Sequence, residues 1–158
     1  MAEVIMVKTQ QGHFVPANEE EAEKLKKIKA GVFVRCEVKQ IRNYKFLQKY
    51  MVLVKYAFDI WEEGAKRLRY KGNEVKPNIE RFRKDLQILA GFYEPVYHYD
   101  GTLKLESKSV SFAEMSEEEF EKVYSALIDV ILAKILNRPD LNQEIVRRHV
   151  DQLMQFDR

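Results

Sequence analysis

Cysteine is nearly absent from this chain. Cys36 stands alone among 158 residues, so no internal disulfide can form, and its place in an alternating apolar segment predicts a buried, inert thiol. Long apolar runs are missing too: none approaches the ~20 residues that span a bilayer. The N-terminal stretch MAEVIMVKTQ has a carboxylate and no basic region ahead of an apolar core, so no signal peptide is expected and the protein is expected in the cytoplasm. Glycines number six, and nowhere do they cluster into a phosphate-cradling loop. His13, His98 and His149 show no ligand spacing and the one cysteine gives them no partner, so neither a metal nor any other cofactor is expected. No serine sits in a glycine-flanked elbow, and no cysteine–histidine arrangement is local. The expectation is a protein that is not an enzyme.

What is present is an ordinary globular composition, 46% hydrophobic and 33% charged, in a chain long enough for one domain with its own core. The net charge of +2 conceals a segregation. Residues 22–86 carry 18 Lys and Arg against 8 Asp and Glu, whereas the rest carries 9 against 17. Such a division either pairs two faces of one fold or leaves a basic face for a polyanion.

Val4 to Lys8 reads as a first strand, and Phe14-Val15-Pro16 as its return after the turn TQQGH. Asn18 is placed to cap a helix whose glutamates come first and lysines last, and Gly31 ends it. VFVRCEV, residues 32–38, alternates as a strand with Val32, Val34, Cys36 and Val38 on one side. After Asn43, the spacing of Tyr44, Leu47, Met51, Val54, Phe58 and Trp61 predicts a long helix, with Phe46, Tyr50, Leu53 and Ala57 widening its apolar stripe. Residues 62–76 read as a mobile basic loop. Pro77 suits the first turn of a helix facing inward through Ile79, Phe82, Leu86 and Leu89, with Gly91 as its C-terminal cap. Asp100-Gly101 between alternating segments predicts a hairpin. Ser116 with Glu119 forms a capping-box pattern ahead of the stripe Phe120, Val123, Leu127, Ile131 and Ile135. After NRPD, Asp140 with Gln143 starts a last helix running to about Phe156.

The fold class expected is α+β: a small, mainly antiparallel sheet packed on a central long helix with three or four flanking helices. An apolar helix of this breadth, beside an acidic capped helix with its own stripe, exposes more than one chain covers, so a homodimer is expected.

Two chemistries fit the region around residue 40. Glu37-Val38-Lys39 on the open face of a strand is the acid-x-Lys element of metal-dependent nucleases, but those sites need a further acidic residue on a neighbouring element, and the nearest upstream is Glu23, within a helix. The better supported reading is a phosphate-tracking face. Arg35, Lys39, Arg42, Lys45 and Lys49 lie on the strand, the corner and the first turns of the helix. Free N–H groups there suit phosphate, and lysines at that end oppose the helix dipole. Lys66, Arg67, Arg69 and Lys71, with Tyr70 among them, add cations and an aromatic of the kind that holds single strands. A solvated loop explains that segment equally well.

The chain resembles a family of phage and prophage proteins of unknown function. The resemblance rests on MVKTQQGHFVPANEEEAEKLKKIKAG, RNYKFLQKYMVLVKYAFDIWE, LAGFYEPVYHYDGTLK and SVSFAEMSEEEFEKVYSALIDVIL, and covers nearly the whole chain. The stretch between the long helix and Pro77 is shorter here than the family pattern. Its members are encoded among replication and recombination genes. The layout is also remotely similar to the lambda-type Orf recombination mediator, in Arg42-Asn43, in Lys45 with Lys49, and in Ser111-Phe112-Ala113-Glu114-Met115 running into Glu119-Phe120. That similarity implies a dimer that binds single-stranded or junction DNA beside the host single-strand-binding protein. The competing expectation is an inhibitor that binds a host protein, such as part of a defence system.

Overall fold

The computed structural model describes residues 3–38, 40, 43–110 and 115–156. Contacts divide the chain into two compact units, Met1–Lys39 and Gln40–Arg158.

In the first unit, β1 (Met6–Lys8) pairs antiparallel with β2 (Phe14–Pro16), Val7 opposite Val15. The turn closes where Thr9 N donates to His13 O and Gly12, at φ +89°, bends the chain back. Helix α1 (Glu19–Lys26) starts as its composition dictates: Asn18 Oδ1 accepts the Glu21 N–H at 2.9 Å, satisfying a donor the helix leaves open. Glu21 is the acid of that first turn that is buried. Its carboxylate accepts from Ile5 N at 2.8 Å and Lys24 Nζ at 2.7 Å, so the buried charge is both paired and used to tie α1 to the segment before β1. The helix ends at Lys26, one turn earlier than Gly31. Residues 32–38 are exposed and irregular, not a strand, and Cys36 is an exposed thiol, not a buried one. Alternation selects a strand only where a ladder satisfies its backbone groups, and no strand among the described residues pairs with this segment.

The second unit is organised on α2 (Tyr44–Glu63). Its buried residues are Tyr50, Leu53, Val54, Ala57 and Phe58, the i, i+3, i+4, i+7, i+8 pattern of one core-facing stripe. The core thus takes Val54 and Phe58 from the expected stripe and Tyr50, Leu53 and Ala57 from the positions that widen it. Tyr44, Leu47 and Met51 are half-buried, and Trp61 is more open still. Asn43 caps with its backbone and spends its side chain elsewhere: Nδ2 donates to Met115 O at 3.1 Å, fixing the start of α2 to the approach of α4.

Residues 62–76 are not a single loop: Glu62 and Glu63 end α2, and residues 68–75 form a hairpin. β3 (Leu68–Tyr70) pairs with β4 (Asn73–Val75) across Lys71-Gly72. Both turn residues have positive φ, 49° and 83°, as a two-residue I′ turn requires. Helix α3 (Ile79–Leu89) is capped by Asn78, whose side chain accepts from Arg81 N at 2.9 Å, so Pro77 stands just outside the helix. Phe82 and Leu86 are buried as expected, but Leu89 is open and Gln87 is buried. Gly91, at φ +91°, follows the helix. β5 (Tyr93–Tyr97) and β6 (Leu103–Ser107) form the hairpin that Asp100-Gly101 signals, with Pro95 opposite Leu105.

Helix α4 (Glu117–Ile131) begins in a complete capping box: Ser116 N donates to Glu119 Oε2 at 2.8 Å, and Glu119 N to Ser116 Oγ at 3.2 Å. Phe120, Val123, Tyr124, Leu127, Ile128 and Ile131 are buried from it. A π-helical turn, Leu132–Leu136, ends at left-handed Asn137. Helix α5 (Gln143–Phe156) is capped by Asn142, which accepts from Ile145 N at 3.0 Å. Asp140, the expected starter, is turned to Arg138 at 2.7 Å. Val146 and Val150 bring α5 into the core, and Gln143 Nε2 donates to Ser125 Oγ at 2.9 Å. Rings carry the contacts between elements: Phe46 stacks on Phe120 at 4.4 Å between centroids, and Phe82 meets Phe58 edge-on at 5.4 Å.

The fold is α+β, with every strand pairing antiparallel among the described residues. Its strands are distributed over three two-stranded hairpins beside the helices. None of its described helices is long and apolar enough to cross a membrane.

Candidate nucleic-acid interface

The cations expected around the start of α2 fall into four settings. Arg35 is exposed in the irregular segment of the first unit. Lys39 and Arg42 lie outside the described residues. Lys45 is exposed in the first turn of α2. Lys49, one turn on, is committed within the second unit: its Nζ is 3.7 Å from Asp151 Oδ1 and 5.1 Å from the centroid of the buried Tyr124 ring. Arg147 approaches the same ring at 5.1 Å and pairs with Glu121 at 2.9 Å. Burial, with Asp151 adding to it, pushes the Tyr124 hydroxyl well above the usual tyrosine range, so it stays protonated. This cluster joins α2, α4 and α5, and its cations already have their counter-charges.

The β3–β4 hairpin gathers the second set. Lys66, Arg67, Arg69 and Lys71 are all exposed, on a two-stranded projection that buries none of its own strand residues. Side chains alternate across a strand, so Leu68, Tyr70, Asn73 and Val75 share one face while Arg69 stands opposite Glu74 on the other. Tyr70 is 67% exposed, with Lys71 Nζ 5.4 Å from its ring centroid. From residue 66 to 76 there are five basic residues against one acidic. A ring held open beside exposed cations on a turn of defined geometry can stack a base and contact the adjoining phosphates. The segment therefore has more order than its composition implies. The missed signal is the two-residue step between LRY and NEV, which Lys-Gly closes in place of the commoner Asn-Gly.

Glu37, the carboxylate of the acid-x-Lys pattern, is exposed in the same irregular segment as Arg35. The strand on which that pattern depends is not formed.

A family model describing a protein of unknown function, DUF1367, matches residues 1–72 and 62–156. The chain belongs to the DUF1367 family. No curated protein and no solved structure matches it. Both matches take in residues 62–72, a range that includes β3.

Proposed function

We propose that this DUF1367 protein is a non-enzymatic accessory factor that binds single-stranded or junction DNA without sequence preference, in phage replication or recombination. The phage setting rests on the sequence resemblance. The observation that carries the binding reading is the β3–β4 hairpin: five cations against one anion, an exposed Tyr70 and an I′ turn, on an element that adds nothing to the core. In the ladder Arg69 faces Glu74, and Lys66, Arg67, Lys71 and Lys76 remain as exposed cations that a polyanion can neutralise. Exposed Lys45 supplies a further cation on α2 of the same unit. The host single-strand-binding protein is a partner consistent with such a role.

The test is fluorescence anisotropy with labelled single-stranded, duplex and junction oligonucleotides at low salt. Binding at micromolar affinity, strongest for single strands or junctions, is the expected outcome. No binding at roughly 50 mM salt, where phosphate contacts are strong, contradicts it.

The second reading is an inhibitor of a host protein. It is favoured by the apolar side chains left open on the surface, including Val32, Phe33 and Val34. Its test is capture of one defined host protein from nuclease-treated lysate, followed by reconstitution with the purified partner.

A further inference from the structure

The β5–β6 hairpin presents the opposite chemistry to β3–β4. Its register puts Tyr93, Pro95, Tyr97, Leu103 and Leu105 on one face, and Glu94, Val96, Lys104 and Glu106 on the other. An amphipathic ribbon ordinarily buries its apolar face. Here every one of those five residues is exposed, Tyr97 at 80% and Leu103 at 66%, while half-buried Val96 lies on the charged face. The apolar face is free of charge, and residues 93–107 carry one basic residue against three acidic ones. A polyanion would be repelled there.

The occupant must therefore be apolar, and it must approach the face and not the edge. His98 N donates to Thr102 O, and Lys108 N to Phe92 O. The even-numbered residues of β5 thus bond inward across the ribbon, and Pro95 stands at an outward-facing position. With no N–H there, the β5 edge is blunted against strand addition. β6 is the strand that runs along α3.

We propose that this face is the self-association surface of the protein, with two copies packing their Tyr93–Tyr97 and Leu103–Leu105 faces against each other about a two-fold axis. An identical neutral, apolar patch is what each copy supplies to the other, as an isologous contact requires. At ~150–250 Å² for a whole aromatic, the exposed parts of Tyr93, Tyr97, Leu103 and Leu105 leave on the order of 500 Å² open on this face, so that two copies bury about the 1,000 Å² a specific interface needs. The surface proposed for dimerisation thus differs from the one the sequence offers: α2 buries Tyr50, Leu53, Val54, Ala57 and Phe58 within its own unit, and this ribbon is one of the apolar surfaces left uncovered.

Size-exclusion chromatography with light scattering at tens of micromolar tests this, in a Cys36→Ser background because that thiol is exposed. The parent should give twice the 18.8 kDa chain mass. Tyr97→Lys with Leu103→Lys should give the single-chain mass with an unchanged circular dichroism spectrum. Leu105→Asn, which adds no charge, should raise the dimer dissociation constant about ten-fold. A parent that runs as a monomer overturns the proposal, as does a double variant that stays dimeric. So does a monomeric parent whose oligonucleotide binding is lost on changing Tyr97 and Leu103, which would give the face to nucleic acid. Dimerisation is independent of the DNA reading: charge reversal on β3–β4 should leave the mass unchanged.

Discussion

Lys49 Nζ lies 3.7 Å from Asp151 Oδ1, joining the second turn of α2 to the last turns of α5. The ion pair is partly exposed, so it contributes ~0.2–1 kcal/mol, and the lysine stem adds packing against Tyr124. Lys49→Ala should therefore lower stability by about 1 kcal/mol in a urea melt and leave oligonucleotide affinity where it was. An affinity that falls as far as it does on reversing Arg69 would instead put Lys49 in the path of the DNA.

The centre of the helical unit is testable at Phe58, which is buried between α2 and α3 with Phe82 edge-on at 5.4 Å and Trp61 at 5.9 Å. Phe58→Ala should cost roughly 3–5 kcal/mol. Trp61, at the open rim, should serve as the fluorescent reporter. A Phe58→Ala melting point within a degree or two of wild type would remove α2 from the core.

The capping box gives a pH dependence with a definite sign. Bonds from the Ser116 backbone and side chain hold the Glu119 carboxyl below the ordinary glutamate value. A group whose folded pKa is depressed stabilises above its unfolded pKa and loses that contribution as pH falls through the folded one. Wild type should exceed Glu119→Gln in stability at neutral pH, and the two should converge as pH falls through the ordinary glutamate range and below it. A difference that stays constant across that range would mean the charge of Glu119 plays no part in the cap.

The helices were legible in the sequence because their signals are local and redundant. Asn18, the Ser116–Glu119 box and the Asp100-Gly101 turn each act within a few residues, and each stands where the pattern puts it. What failed depended on partners distant in sequence. VFVRCEV alternates like a strand but has no ladder among the described residues. On α2, apolar residues cover so much of the circumference that periodicity finds the helix without choosing between Tyr44–Leu47–Met51 and Tyr50–Leu53–Ala57; packing against α3, α4 and α5 makes the choice. The same limit applies to the candidate site. Lys45 and Lys49 are alike in sequence, and only the position of Asp151, about a hundred residues on, separates them.

The hairpin geometry can be tested without altering charge. Gly72 sits at φ +83° with open space around its missing Cβ, so Gly72→Ala meets no clash and only a left-handed backbone cost of ~1–2 kcal/mol. The main melting transition should hold, since β3–β4 contributes nothing to the core. Oligonucleotide affinity should fall several-fold as the hairpin opens and Tyr70 loses its position. An unchanged affinity would mean that flexible cations suffice.

The central claim, that the β3–β4 hairpin holds a nucleic-acid backbone, is tested most directly by the salt dependence of single-strand binding. The measurement is anisotropy of a labelled oligonucleotide across a salt titration, for wild type and for Arg69→Glu with Lys71→Glu. Each neutralised phosphate on a single strand contributes about −0.7 to the slope of log affinity against log salt. The double reversal should weaken binding and make that slope about 1 to 1.5 units shallower, with circular dichroism and melting point unchanged. Wild-type binding whose affinity and slope both survive the double reversal would contradict the account.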